Sequence, residues 1–160
     1  MENFIKLMLA FGIGLLLVLL AMPKVIPFLH KMKFGQVERE EGLESHKKKG
    51  GTPTMGGVVF VLAAVIAAFV VNYKNITNPN LILITIVLVG YSLIGFIDDA
   101  LIILKHQNEG LKAWQKFLMQ AILAVGCYLY LENFVPGFTT EVTIPIVKVN
   151  IDFGWFYAVL

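Results

Sequence analysis

Asp98 and Asp99 stand side by side inside a stretch that is otherwise almost wholly apolar, LVGYSLIGFIDDALIIL (residues 88–104). Adjacent carboxylates in a low-dielectric setting repel each other unless a cation lies close. Hard cations such as Mg²⁺ prefer carboxylate oxygens together with substrate phosphates, so the pair suits phosphate transfer. The alternative is that the pair only ends a helix at the lipid headgroups, although the helix macrodipole disfavours negative charge at a helix C-terminus. The residue types therefore favour a functional pair.

A turn rich in glycine, threonine and lysine is the second candidate for chemistry: SHKKKGGTPTMGGVVF (residues 45–60). Backbone N–H groups at its glycines, the hydroxyls of Thr52 and Thr54, and the positive end of the following helix would form an anion-binding corner. Lys47–Lys49 add positive charge, although a basic cluster beside a membrane can equally hold anionic lipid, at about 1 kcal/mol per residue. The order GxxxxGK[ST] is absent, so the turn does not indicate nucleotide hydrolysis.

The elements that position these residues are predicted to lie in lipid. The 160 residues are 58% hydrophobic, with a mean hydropathy of +0.77, values typical of an integral membrane protein. The net charge of only +2 gives no indication of a nucleic-acid partner. The predicted fold class is an all-α integral membrane protein, a polytopic helical bundle that forms a single membrane domain over residues 1–160.

Four apolar runs are each close to the ~17 to 25 residues that cross a ~30 Å hydrocarbon core as a helix. They predict four complete transmembrane helices and the start of a fifth, over residues of about 4–23, 55–73, 81–99, 115–135 and from about 153. No small-residue cleavage site follows the first run, so it is interpreted as a retained helix and not as a signal peptide. The segment TTEVTIPIVKVNID alternates β-branched and polar residues, which predicts a short hairpin over about 138–151, with an irregular loop as the alternative.

The distribution of lysine and arginine predicts the topology. Counted by segment, seven lie between residues 22 and 56, three between 100 and 116, and one each in 74–80 and 132–152. By the positive-inside rule, loops 24–54 and 100–114 are cytoplasmic, and the N-terminus and the hairpin are extracytoplasmic. A helix that begins near Leu81 and rises ~1.5 Å per residue reaches Asp98 after about 25 Å, at the cytoplasmic edge of the hydrocarbon. The carboxylates and the anion-binding corner can therefore face one site.

The two motifs together resemble those of one enzyme family. SHKKKGGTPTMGG, followed by GFIDD, is similar to the motifs of the phospho-N-acetylmuramoyl-pentapeptide transferase family, and the likeness extends to residues 33–46 and 108–116. The aspartate pair is shared with the wider superfamily of polyprenyl-phosphate sugar-1-phosphate transferases, whereas the string TPTMGG is typical of this branch. The resemblance covers essentially the whole chain and relates it to the N-terminal half of a longer transferase.

The resemblance implies transfer of phospho-MurNAc-pentapeptide from UDP-MurNAc-pentapeptide to undecaprenyl phosphate, giving lipid I and UMP in peptidoglycan synthesis. It further implies Mg²⁺ as the cofactor and a place in the lipid bilayer of the bacterial plasma membrane, and it allows a homodimer. The family's remaining helices carry a third aspartate and a histidine-rich cytoplasmic loop, which the 160 residues lack. The chain alone is therefore expected to be inactive.

Site residues follow from the resemblance by motif. Asp98 and Asp99 correspond to the catalytic carboxylates, and either of them could bind the metal. Four residues of the glycine- and threonine-rich motif are implied to bind the substrate: His46, Lys49, Thr52 and Thr54.

Several positions depart from the family pattern. Basic residues that the family usually carries after the aspartates are Ile102, His106 and Trp114 here, and a usual proline is Leu43. These replacements reduce the positive charge expected around the site. Two alternatives stay open: a sister transferase that uses another UDP-sugar, and a non-catalytic membrane protein whose aspartates serve ion passage.

Overall fold

The computed structural model describes residues 1–31, 55–105, 110–144 and 149–159. Helices make up most of these residues, and there is one small sheet. In chain order, the elements are α1 (Glu2–Lys31), α2 (Gly57–Val71), a 3₁₀ helix (Tyr73–Asn75), α3 (Pro79–Lys105), α4 (Ala113–Phe134), β1 (Glu141–Ile144), β2 (Val149–Asp152) and a second 3₁₀ helix (Gly154–Val159).

Three of the described helices are long and apolar enough to cross a membrane: α1 with 30 residues, α3 with 27 and α4 with 22. At ~1.5 Å per residue, even the shortest of them rises about 33 Å, against a hydrocarbon core of ~30 Å. The apolar helix α2 has 15 residues, which rise only about 22 Å. The predicted class, an all-α integral membrane protein, is confirmed, and the count of four complete spans stays a prediction.

Apolar side chains cover the outside of these helices. Phe11 is 66% exposed and Leu20 is 63% exposed, although both lie within α1. Water-soluble proteins rarely expose contiguous apolar surface on this scale, so the surface is suited to lipid. Five hydrophobic residues in the described ranges are buried, namely Leu29, Ala63, Ala67, Ile94 and Tyr128.

The first helix is longer than the sequence predicts. The apolar run predicts an end near residue 23, whereas α1 continues through Pro23 and Pro27 to Lys31. A proline removes one helical hydrogen bond. The apolar residues beside the prolines nevertheless continue the helix, and Leu29 near its end is buried.

α3 is also longer than predicted, and this changes the setting of the carboxylates. The sequence predicts a helix end near residue 99 and a loop from 100, whereas α3 runs to Lys105 because the apolar residues 100–104 continue the helix. About two more helical turns follow Asp98. The pair therefore lies inside the helix, and the interpretation that it only ends the helix is wrong.

The helices pack in sequential pairs, most extensively α1 with α2 and α3 with α4, with a smaller contact between α2 and α3. In the first pair, small residues let the backbones approach, since a Cβ added at Gly14 would lie 3.9 Å from Ala67 Cβ. Close packing of small residues is the usual way that helices associate in lipid. The second pair brings α4 against the part of α3 that carries the aspartates.

Beyond α4, β1 and β2 pair antiparallel, from Glu141 opposite Asp152 to Ile144 opposite Val149. This confirms the predicted hairpin, of which residues 145–148 lie outside the described residues. The six-residue second 3₁₀ helix stands where the sequence predicts the start of a fifth helix. It is held to α4 by aromatic contact, with ring centroids 5.5 Å apart for Tyr128 and Trp155.

Candidate active site

The start of α3 fixes the position of the carboxylates along the helix. Pro79 occupies the first helical position, and the Asn78 side-chain oxygen accepts hydrogen bonds from the backbone N–H groups of Asn80 (2.9 Å) and Leu81 (3.4 Å). This is a helix N-cap, which satisfies donors that the helix itself leaves without partners. From this cap the helix runs on without a break to the aspartates.

Asp98 is held on both of its carboxylate oxygens. Oδ2 lies 2.7 Å from the Nζ of Lys116 on α4, and Oδ1 accepts a hydrogen bond of 2.7 Å from the backbone N–H of Leu111. The Asp98 side chain is only 20% exposed, whereas that of Lys116 is 42% exposed. Charge-assisted hydrogen bonds of this length are the stronger kind, so the contact ties α3 to the residues that lead into α4.

Gly110 lets the chain approach Asp98 closely. A Cβ added at Gly110 would clash with Asp98 Oδ1 and would lie 2.8 Å from Asp98 Cγ and 2.9 Å from the Asp98 carbonyl oxygen. Its backbone does not have a positive φ, so space and not conformation requires a glycine here. The absence of a side chain at Gly110 thus allows Leu111 N–H to reach the carboxylate.

The first turn of α4 carries Lys116 to the same place. The Lys112 N–H donates to Gln115 Oε1 over 2.9 Å, which satisfies a backbone donor at the helix start. Lys116 is one helical turn after Lys112, on the side of α4 that packs on α3. A lysine in the first turn of a membrane helix can extend along the apolar surface and place its ammonium group at a carboxylate.

Asp99 has different surroundings from Asp98. Successive helical residues point ~100° apart, so Asp99 does not share the contacts of its neighbour. Within the part of the chain that the structure describes, Asp99 makes no hydrogen bond and no ion pair, and its side chain is half-buried. The arrangement therefore offers one paired carboxylate and one carboxylate with open oxygens.

The residues implied to bind the nucleotide sugar fall outside the described residues. These are His46, Lys49, Thr52 and Thr54. That they lie close to Asp98 and Asp99 stays a prediction. The end of the same motif is described: Met55 has a φ of 69°, in the left-handed region that is rare for a bulky residue. Gly57 then begins α2.

Among the positions that depart from the family pattern, Ile102 lies on α3 one turn after Asp98. Trp114 is 62% exposed in the first turn of α4. His106 is outside the described residues.

Sequence reasoning missed the contact of Lys116 with Asp98, because it counted Lys116 only among the charges that set topology. The signal in the sequence is weak: Lys116 is a charged residue in the first turn of an apolar helix, at the end of NEGLKAWQK (residues 108–116). Nothing in the spacing of 18 residues between Asp98 and Lys116 indicates that the two side chains meet.

Comparison with known proteins finds a match to one family model and to curated relatives of the same name. Residues 49–61 match a family model described as phospho-N-acetylmuramoyl-pentapeptide-transferase signature 1. This range includes the string TPTMGG and the start of α2.

Curated relatives of that name match along nearly the whole chain. The chain is similar to the phospho-N-acetylmuramoyl-pentapeptide-transferase of Halalkalibacterium halodurans, with 41% identity over 152 residues, which are 94% of the chain and 46% of the relative. The enzyme of the same name from Bacillus subtilis is 40% identical over 148 residues (92% of the chain, 45% of the relative), and that from Staphylococcus epidermidis is 43% identical over 149 (92% and 46%). The chain spans about half the length of the curated relatives it matches. Over most of its length, the chain is similar to the N-terminal part of the phospho-N-acetylmuramoyl-pentapeptide-transferases.

Proposed function

We propose that the full-length protein that contains this chain transfers phospho-MurNAc-pentapeptide from UDP-MurNAc-pentapeptide to undecaprenyl phosphate. The name of the relatives indicates transfer of a phospho-N-acetylmuramoyl-pentapeptide group, and the products in this proposal are lipid I and UMP. The observation that supports this most is the pair Asp98–Asp99 inside a helix long enough to cross the membrane, with Lys116 of the next helix on Asp98. Carboxylates and a cation near the end of such a helix suit two phosphates that meet at a membrane surface.

The reaction exchanges one phosphorus–oxygen bond for another. An oxygen of the lipid phosphate attacks the phosphorus that carries the sugar, and the bond from that phosphorus to the UMP oxygen breaks, with the electron pair leaving on UMP. Both reactants are anions, so catalysis depends on positioning them and on stabilising the developing charge. In this proposal, Asp98 and Asp99 lie beside the reacting phosphates, and the cytoplasmic corner holds the nucleotide sugar.

Mg²⁺ is the cofactor that the proposal requires. The described residues contain no group of three or more side chains that could hold a metal on their own. Mg²⁺ is, however, commonly bound by one or two carboxylates together with substrate phosphates and water, and Asp99, with Asp98 beside it, provides that kind of donor set. When bound, the ion would offset negative charge on the phosphates.

The nucleotide sugar is assigned to the glycine- and threonine-rich motif. Its residues His46, Lys49, Thr52 and Thr54 combine hydroxyl donors with positive charge, as recognition of a diphosphate requires. The lipid phosphate arrives from within the bilayer along the apolar surface of the helices. Both proposals place the site at the membrane interface.

Orientation is part of the same proposal. The protein lies in the bacterial plasma membrane with its N-terminus and its hairpin outside and its site at the cytoplasmic face. The distribution of lysine and arginine supports this orientation. The soluble nucleotide sugar is then present on the side where the aspartates lie. A homodimer is compatible with the proposal and is not required by it.

Incorporation of labelled sugar from UDP-MurNAc-pentapeptide into undecaprenyl phosphate, by the purified full-length protein in detergent with Mg²⁺, tests the proposal. Each single variant, Asp98→Asn and Asp99→Asn, should transfer less sugar than the wild type, and the loss should be larger for Asp99→Asn. Asp152→Asn, a matched change in the hairpin, should leave it unchanged. Undiminished transfer by either site variant would remove that carboxylate from the reaction. Transfer of a different UDP-sugar would indicate a sister transferase, and absence of any transfer by the wild type would refute the proposal.

A further inference from the structure

We propose that Lys116 is a positioning residue that acts through Asp98 and gives the two adjacent carboxylates different tasks. Asp98 joins α3 to the start of α4, and Asp99 is the carboxylate left to face the phosphates and the metal. This rests on the proposed function, because it assigns roles within that same site.

Both oxygens of Asp98 have a donor. Lys116 Nζ lies 2.7 Å from Oδ2, and the Leu111 N–H lies 2.7 Å from Oδ1. The carboxylate is thereby fixed in one orientation on α3. In the described ranges, Lys116 is the one cationic side chain in an ion pair with either aspartate.

Gly110, in the segment that leads into α4, lies directly against the same carboxylate. Any side chain at this position would meet the Asp98 carboxylate and its carbonyl oxygen. A lysine, a backbone N–H and a close glycine thus converge on one side chain. Asp99, one residue further on, receives none of these contacts in the described residues.

Charge explains why the pairing matters for Asp99. Two adjacent carboxylates repel each other in surroundings of low dielectric. The ammonium group of Lys116 compensates the charge on Asp98, so that a cation or a phosphate group meets Asp99 as a single, oriented carboxylate. Without Lys116, Asp98 Oδ2 would lose its donor, and this oxygen would compete with Asp99 for the same ligand. Ile102 and Trp114 supply no positive charge at positions where the family usually has it, so Lys116 is the cation that the described site offers.

The first test compares lysine variants in the full-length protein, using transfer from UDP-MurNAc-pentapeptide to undecaprenyl phosphate. Lys116→Met should lower kcat on the order of 10- to 100-fold, the size of loss that misplaced catalytic groups produce, with little change in KM for the nucleotide sugar. Lys116→Arg should retain most of the activity, because it keeps a positive charge within reach. Lys112→Met, one turn earlier and outside the Asp98 contact, should match the wild type. Wild-type kcat in Lys116→Met, or equal losses with Met and Arg, would overturn the inference.

A double-variant comparison separates action through Asp98 from a direct role. If Lys116 acts through Asp98, then Lys116→Met should cost little more once Asp98→Asn is present, since residues in one contact have non-additive effects. Losses that multiply would show that Lys116 works independently, and the inference would fail. The double variant removes both charges together, which keeps the test usable if Lys116→Met alone does not fold.

A glycine variant tests the same contact without changing any charge. Gly110→Ala should lower kcat because the new Cβ displaces the Asp98 carboxylate, whereas Gly95→Ala, with nothing within 4 Å of its added Cβ, should not. Equal activity in the two variants would contradict the inference. If the wild type itself transfers no sugar, the proposed function fails. If the wild type is active and the Lys116 and Gly110 variants match their controls, only the inference fails.

Discussion

Gly90 on α3 lies against Leu123 on α4 so closely that a Cβ added at Gly90 would come within 2.7 Å of Leu123 Cδ1. Gly90 is about two helical turns before Asp98, and Leu123 is about two turns after Lys116. The two helices run antiparallel, so the glycine contact and the ion pair lie at successive levels of one interface. Because lipid gives no hydrophobic drive for helix association, such close packing sets the separation at which Lys116 meets Asp98.

A larger side chain at Gly90 should separate α3 from α4. We expect Gly90→Val to destabilise the full-length protein by about 1 to 3 kcal/mol, the usual cost of overpacking, measured by unfolding in detergent. Gly95→Val is the matched control, since it makes the same change on the same helix in open space. Leu123→Ala should recover part of the loss in the Gly90→Val background. Equal destabilisation at Gly95 would mean that helix propensity, and not the contact with Leu123, is responsible.

The class of fold could be predicted from the sequence because apolar runs of spanning length have few other interpretations. The hairpin followed from alternation in TTEVTIPIVKVNID, which β1 and β2 bear out. Helix ends were less predictable: Pro23 and Pro27 are strong stop signals in water, but α1 continues through both. The apolar residues beside the two prolines continue α1, and Leu29 near its end is buried, so packing favours the helix although each proline removes one helical hydrogen bond.

The candidate site was only partly predictable. Asp98 and Asp99 stood out because charge is rare in apolar stretches, but their unequal environments arise from α4, and no local pattern encodes a contact across 18 residues. The sequence around Gly110 does not indicate why a glycine is needed; the reason is that an added Cβ would lie 2.8 Å from Asp98 Cγ. The shared site of the aspartates with Lys49 and Thr54 stays a prediction, since those residues lie outside the described ranges.

Removal of Mg²⁺ should distinguish the roles of Asp98 and Asp99. After chelation of divalent ions, transfer should stop and should return when Mg²⁺ is added back. The concentration of Mg²⁺ needed for half-maximal transfer should rise more for Asp99→Asn than for Asp98→Asn, because Lys116 and Leu111 already occupy the oxygens of Asp98. A larger rise for Asp98→Asn would assign the metal to that residue instead.

At low pH, the hairpin should lose the hydrogen bond between the Asp152 carboxylate and the Gly154 N–H. The Thr140 hydroxyl, which donates to Asp152 Oδ1, and the Gly154 N–H, at 2.9 Å, lower the pKa of Asp152 below its usual value. A carboxyl group with a lowered pKa stabilises the folded state above its unfolded pKa of about 3.9, and this stabilisation is lost as pH falls through the lower folded-state pKa. The Gly154 amide resonance should therefore titrate with a midpoint below about pH 4. The titration should disappear in Asp152→Asn, and a midpoint at or above the usual value would contradict the contact.

Opposite ends of α4 should be accessible from opposite sides of the membrane. α4 has 22 residues, enough to cross the hydrocarbon at about 33 Å, and Lys112 and Glu141 flank it in the chain. In a full-length background with Cys127→Ser and no other cysteines, an impermeant maleimide should label Glu141→Cys in intact cells. It should label Lys112→Cys only after the cells are permeabilised, because the lysines near Lys112 favour the cytoplasmic side. Labelling of both positions from outside would show that α4 does not cross the membrane. The reverse pattern would invert the topology and place Asp98 on the side where no nucleotide sugar is available.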